Sequence, residues 1–329
     1  MYKRQAFSAD QLLEKVNTYL ATMPYVREPK GLYAPIEYVL SLGGKRIRPV
    51  LMLLSYQLYK ENVDDILPQA AGIETYHNYT LLHDDLMDCA DMRRNKPTVH
   101  KVWDENTAIL SGDAMLVLAY RLMNNCPERY LKQVMDIFSQ TALEICEGQQ
   151  WDMEFETRND VTVPEYMEMI RLKTSVLLSA ALKIGAVLGG ASEDNARKLY
   201  DFGIKMGLAF QLQDDYLDVY GDSKVFGKNI GGDILCNKKT FMLINALALA
   251  DGIQRKELEK WIASTAFCPE EKIKAVTALY DKIGIGGICE EKINAYYVEG
   301  LSLLESMAVP SERKEELKSF VCHLMNRKV

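Results

Sequence analysis

Six aspartates fall into two copies of one pattern. Asp84, Asp85 and Asp88 close the run LLHDDLMD, and Asp214, Asp215 and Asp218 close QLQDDYLD, 130 residues further on. On a helix, positions i and i+4 share a face and i+1 lies about 100° away. Asp84 and Asp88 therefore project together with Asp85 flanking them, and the second trio repeats that geometry. Aspartate is a weak helix former, and like charges at i, i+4 repel by a few tenths of a kcal/mol. Apolar surroundings raise the cost steeply unless a cation neutralises the cluster. All-oxygen donors suit Mg²⁺, which shares its shell among one or two carboxylates, waters and phosphates. A solvated helix face would explain one such trio. Two, each inside an apolar run, point to divalent-ion chemistry on two helices in a pseudo-twofold arrangement around a shared cavity.

An anion bridged by metal needs cations on its other side. The run Gly43-Gly44-Lys45-Arg46-Ile47-Arg48-Pro49 opens a helical segment, where the helix dipole also favours phosphate. Arg93 and Arg94 follow the first acidic motif, Lys173-Thr174 lies among Leu172, Val176, Leu177 and Leu178, and Lys228 follows the second motif. Each alone reads as a surface charge. Their clustering beside the acidic motifs selects Lys45, Arg48, Arg93, Arg94 and Lys173 as phosphate-binding candidates. Neither G-x-x-x-x-G-K-[ST] nor G-x-G-x-x-G occurs, so a nucleotide is not the indicated ligand.

Helices must position these groups. No proline lies between Pro164 and Pro269, and apolar residues recur at helical spacing, as in Leu12, Leu13, Val16, Tyr19 and Leu20. Ser8 with Gln11 and Thr162 with Glu165 have the capping-box spacing, while Pro49, Pro68 and Pro127 read as first-turn prolines. Glycine pairs at Gly43-Gly44 and Gly231-Gly232, and the stretch Gly284 to Gly287, mark loops or helix ends. Convincing period-2 alternation is missing. The expectation is an all-α fold of about a dozen helices in one domain over residues 1–329.

The composition fits: 48% of the 329 residues are hydrophobic and 26% charged, an ordinary globular balance. A net charge of −7 argues against a nucleic-acid partner. The longest apolar stretch, Val176 to Gly190, is broken by Lys183, so no transmembrane segment is expected. Seven cysteines without a C-x-x-C pair and an N-terminus without an apolar core point to a cytoplasmic protein.

In combination and order, GGKRIRP, the stretch Glu74 to Asp88, RR-x-K-P-T-x-H, the Lys-Thr pair and FQLQDDYLD followed by Gly-Lys resemble the trans-type polyprenyl diphosphate synthases. The short-chain farnesyl and geranylgeranyl enzymes are the nearest in pattern. The resemblance implies long helices around a deep cavity, usually in a homodimer. It implies elongation of an allylic diphosphate (dimethylallyl, geranyl or farnesyl) by isopentenyl diphosphate. Residue by residue, Asp84, Asp85, Asp88, Asp214, Asp215 and Asp218 match holders of three Mg²⁺ ions on the allylic diphosphate. Arg93, Lys173 and Lys228 match its cationic contacts. Gly44, Lys45, Arg48, His77 and Arg94 match the isopentenyl diphosphate site, and Thr174 and Gln211 match polar groups facing the developing cation. The departing diphosphate takes the final proton in this family, so no side-chain base is assigned.

Product length is expected to depend on bulk upstream of Asp84. One helical turn rises about 5.4 Å, close to one isoprene unit. Tyr79 and Thr80 stand five and four residues before Asp84, with Tyr76 a turn further down; Tyr79 is expected to be the floor that stops the growing chain. A compact first motif with one adjacent aromatic is more like archaeal geranylgeranyl synthases, which favours twenty carbons over fifteen. Two alternatives belong beside this reading. A class I terpene cyclase would carry N-D-x-x-S-x-x-x-E as its second motif, and a non-catalytic subunit would have degraded aspartates. His83 reads as a core histidine, Cys89 and Cys236 as small packing residues, and Arg327-Lys328 as a tail that could close over the isopentenyl site.

Overall fold

The computed structural model describes residues 6–25, 27–221 and 230–325. Lys228 and Arg327-Lys328 lie outside the described residues.

Local chemistry starts the helices where expected. Helix α1 (Ala9–Thr22) opens with Ser8 and Gln11 exchanging side-chain-to-backbone bonds, and α8 (Val163–Ile170) opens with the same device at Thr162 and Glu165. The intervening helices are α2 (Lys30–Ser41), α3 (Ile47–Gln57), α4 (Leu67–Met87), α5 (Val99–Val102), α6 (Glu105–Met123) and α7 (Glu128–Thr157). Beyond α8 follow α9 (Val176–Gly189), α10 (Glu193–Tyr220), α11 (Gly232–Leu235), α12 (Phe241–Leu249) and α13 (Gly252–Ala263). Helices α14 (Pro269–Ile283), α15 (Ile285–Glu305) and α16 (Ser311–Met325) complete the chain. The fold is all-α.

Among the described residues the departure from helix is one hairpin. Strand β1 (Met92–Arg93) pairs antiparallel with β2 (Lys96–Pro97), Arg93 opposite Lys96. Arg94 and Asn95 form its two-residue turn with φ of 52° and 60°, the left-handed pair that such turns require. Strands of two residues are too short to show alternation, so the sequence offered no sign of them.

The chain gathers into two compact units. One comprises Met1–Thr141, Ala180–Tyr200 and Met307–Leu317; the other comprises Ala142–Ser179, Asp201–Ser306 and Lys318–Val329. In the first, α4 and α6 pack closely because each offers a glycine. A Cβ on Gly72 would lie 3.0 Å from the Leu122 Cβ, and one on Gly112 would lie 2.1 Å from His83 Nε2. Around this pair Ile36, Val39, Leu40, Leu82, Ala108 and Met115 form a buried cluster. The second unit is centred on Tyr166, Met169, Leu212, Phe241, Met242 and Ile285. The helical run Val163–Gly189 is long and apolar enough to cross a membrane by length and composition, but 83% of that window is buried in the protein.

Candidate active site

The first acidic motif ends α4. Asp84 and Asp85 lie in its last turn, and Asp88 is the C-cap, donating its N–H to the Asp84 carbonyl at 2.9 Å. The three do not share one environment. Asp85 is buried, and both its oxygens accept from Arg93 Nε, at 2.7 and 2.8 Å. Asp84 is half-buried, with Oδ2 3.5 Å from Arg93 Nη2, while Asp88 is exposed. Burial pushes the Asp85 carboxyl up to about 6 despite the opposing charge of Arg93.

The hairpin turns Arg93 and Arg94 to different tasks. Arg93 reaches back to the aspartates, whereas Arg94 lies on the glycine pair. Its Nη1 donates to the Gly43 carbonyl, and a Cβ on Gly44 would fall 2.9 Å from its Cζ. Gly44, at φ +133°, thus makes room for a guanidinium.

Beside it Arg48 Nη1 lies 3.0 Å from His77 Nε2. Arginine offers no acceptor, so His77 accepts here and carries its proton on Nδ1. Burial first, then Arg48, Arg94, Arg93 and Arg46, hold His77 well below the usual imidazole range. Burial also lowers Arg48 to about 10, and its buried Nε has no hydrogen-bond partner among the described residues. A desolvated guanidinium with an orphaned donor, next to a second arginine and a neutral histidine, suits an anion. Lys45 is exposed on the same loop.

A buried ion pair missed by sequence reasoning holds the loop. Arg46, left-handed at φ 45°, pairs with Glu74 at 2.7 Å and donates to the Leu40 carbonyl at 2.6 Å. Asn78 Nδ2 donates to the same Glu74 oxygen at 2.9 Å. Arg46 lies in a basic run, so the one available signal was Glu74, a lone acid among Ala71, Gly72, Ile73, Thr75 and Tyr76. Among the described residues five non-glycines have positive φ, and four of them (Arg46, Cys89, Arg94 and Asn95) flank the acidic and basic motifs.

In the second unit Lys173 and Thr174 sit in a π-helical turn, Arg171–Ser175, between α8 and α9. Such turns widen the helix and redirect side chains. Two helices hold it. Gly148 of α7 would place a Cβ 2.4 Å from the Lys173 nitrogen, and Gly207 of α10 would place one 2.6 Å from the Ser175 Cα. One turn beyond each glycine stands a partner. Asp152 accepts from Lys173 Nζ at 2.6 Å, and Gln211 Oε1 accepts from Thr174 Oγ1 at 3.1 Å. Burial acts to raise the Asp152 carboxyl, but Lys238 and Lys173 together hold it below its ordinary value. The sequence marks Asp152 only as an acid one turn after a helical glycine.

The second acidic motif repeats the division of the first. Asp215 is buried, accepting from the Tyr166 hydroxyl and, at 3.1 Å, from Gln211 Nε2. Burial, and then Asp233, push its carboxyl up to about 7. Asp214 and Asp218 are half-buried, and Asp218 Oδ2 accepts the Asp233 N–H at 3.0 Å. Among the described residues no three acidic, His or Cys side chains gather closely enough to cage an ion. A donor set of paired carboxylates without a cage fits Mg²⁺, which keeps waters and binds substrate phosphates.

On α4, Tyr76 is buried with its ring 5.4 Å from Tyr79 and edge-on to Phe138 at 5.2 Å. Tyr79 is half-buried against the cluster between α2, α4 and α6, and Thr80 Oγ1 donates to the His77 carbonyl. Cys89 and Cys236 are exposed rather than packed, because both sit at helix ends, Cys89 left-handed at φ 51° and Cys236 as the C-cap of α11.

Comparison with known proteins gives a consistent result. The profile of the polyprenyl synthetase family matches residues 29–280. The chain is 41% identical over 273 residues to the short chain isoprenyl diphosphate synthase of Methanocaldococcus jannaschii, covering 83% of each chain. It is 46% identical over 224 residues to the geranylgeranyl diphosphate synthase of Methanosarcina mazei, covering 67% of this chain and 69% of that one. A crystal structure of a geranylgeranyl pyrophosphate synthase superposes with a TM-score of 0.90 at 44% identity, covering 98% of both chains.

Proposed function

The chain belongs to the polyprenyl synthetase family and is a prenyltransferase, and from that premise we propose that it condenses isopentenyl diphosphate with allylic diphosphates to geranylgeranyl diphosphate. The observation that carries the site assignment is the cluster of Arg48, His77 and Arg94 on Gly43-Gly44, with its orphaned, desolvated donor. A terpene cyclase has no use for this second anion site, and a non-catalytic subunit would not need six intact aspartates.

The residues divide the work. Arg48, Arg94, His77 and Lys45 bind isopentenyl diphosphate; His77, neutral at pH 7, serves as a polar contact and adds no charge. Asp84, Asp88, Asp214 and Asp218 would hold Mg²⁺ for the allylic diphosphate. Asp85 and Asp215, turned to protein partners, fix Arg93 and the Gln211–Thr174 pair respectively. When bound, Mg²⁺ supplies positive charge to the leaving diphosphate as its carbon–oxygen bond breaks. Arg93 and Lys173 add to that charge, with Lys228 assigned alongside them by motif. The Thr174 hydroxyl and Gln211 amide present dipoles toward the carbon left positive, and the apolar surroundings exclude water from it.

The seven free thiols suit a reducing cytoplasm. A homodimer is supported by α6, which exposes Ile109, Leu110 and Val117, the last two at 60%. A single catalytic domain is supported by each unit's being assembled from three separate stretches of chain.

One incubation tests the reading. Purified protein with Mg²⁺, isopentenyl diphosphate and farnesyl diphosphate is expected to yield a twenty-carbon alcohol after dephosphorylation. No lengthened product from any allylic starter would overturn the function; a fifteen-carbon end point from dimethylallyl diphosphate would overturn the chain length alone.

A further inference from the structure

His83 has no part in the proposed catalysis, yet the structure gives it a built seat. Its ring is half-buried, meets Tyr79 one turn back edge-on at a centroid distance of 4.8 Å, and places Nε2 3.2 Å from the Ile109 carbonyl of α6. That position exists because residue 112 is glycine: a Cβ there would stand 2.1 Å from Nε2, 2.6 Å from Cδ2 and 3.0 Å from Cε1. Glycine in a helix interior is unfavourable relative to alanine, so its presence in the middle of α6 calls for a compensating contact. Tyr79 is flanked on its other side by Tyr76 at 5.4 Å, which is itself anchored on Phe138. The Tyr79 ring is therefore held between a buried aromatic and a histidine whose far edge is fixed on a neighbouring helix.

We propose that His83, seated on Gly112, is a specificity-determining residue that sets product length by holding the Tyr79 ring in place. This rests on the reading of Tyr79 as the stop for the growing chain. Without His83 the ring loses the contact on its side toward Asp84 and swings aside, and the barrier becomes leaky. Gly112 acts on the same ring from a different helix and at one further remove.

Product distributions of four variants separate the possibilities: Tyr79→Ala, His83→Ala, Gly112→Ala and the double variant Tyr79→Ala/His83→Ala. In His83→Ala and Gly112→Ala the ratio of products one isoprene unit longer to parental product is expected to rise about three- to tenfold, the range for losing one aromatic edge contact. The ratio is read at equal extent of reaction, so a loss of turnover from disturbing neighbouring Asp84 does not imitate it. The double variant is expected to match Tyr79→Ala, since the histidine acts only through the tyrosine. If Tyr79→Ala lengthens the product while His83→Ala and Gly112→Ala keep the parental spectrum, the inference fails and the floor stands. If Tyr79→Ala leaves the spectrum unchanged, the floor itself falls and the inference with it.

Discussion

Within each acidic trio, burial separates the roles of residues that sequence spacing treats alike. Asp84 and Asp214 are half-buried on their helices, and Asp84→Asn or Asp214→Asn is expected to lower kcat at least about a hundredfold while the helical circular dichroism stays unchanged. Near-normal turnover by either would contradict the metal assignment. Asp215 makes a different prediction, because its carboxyl is raised from the ordinary 3.8 to about 7. The folded chain then binds this proton more tightly than the unfolded chain does. Between those two values the folded state holds more protons, so this residue's contribution to stability falls as pH rises. In metal-free protein the melting temperature of wild type relative to Asp215→Asn should decline across that window. A constant difference would remove burial as the controlling influence. The Arg46–Glu74 pair adds a third case: both side chains are nearly inaccessible, so Glu74→Ala leaves a buried cation unpaired. The expected cost is about 3–5 kcal/mol in chemical denaturation, against a smaller loss for Glu74→Gln, which keeps acceptors near Asn78 and Arg46.

Elements turn these residues into an arrangement, and here sequence reading was uneven. The capping boxes at Ser8 and Thr162 and the long helices carrying both acidic motifs were legible, because they depend on spacing within one turn. The hairpin that separates the tasks of Arg93 and Arg94 was not, since two-residue strands carry no period. Nor was the π turn at Lys173-Thr174, whose extra residue is stabilised by contacts from α7 and α10 and leaves no mark on the local pattern. Its dependence on close backbone approach is testable. Gly148→Ala drives a methyl against the Lys173 nitrogen, which cannot rotate away. A loss of about 1–3 kcal/mol in stability and a matching fall in kcat are expected, measured by denaturation and by turnover at saturating substrates. If stability falls with kcat intact, the turn's register does not matter to the chemistry.

Over the whole molecule, composition and the proline-free central stretch indicated an all-α protein, and the motifs in their order indicated its family. Pairwise placement across the sequence was beyond reach. Nothing in the sequence around Glu74 says that its partner is Arg46, 28 positions earlier, or that Asp152 answers Lys173. Those pairs are fixed by packing, which the glycines at 72, 112, 148 and 207 permit and which sequence alone does not display.

The position of Arg94 on Gly43-Gly44 has a consequence for how tightly an anion can be caught. Its guanidinium is already docked on the chain, and its backbone is confined to a tight turn, so little side-chain freedom remains to be surrendered on capture. Loosening that dock with Gly44→Ala should therefore weaken isopentenyl diphosphate mainly through a less favourable entropy of association, a signature that calorimetry separates from the loss of a charge.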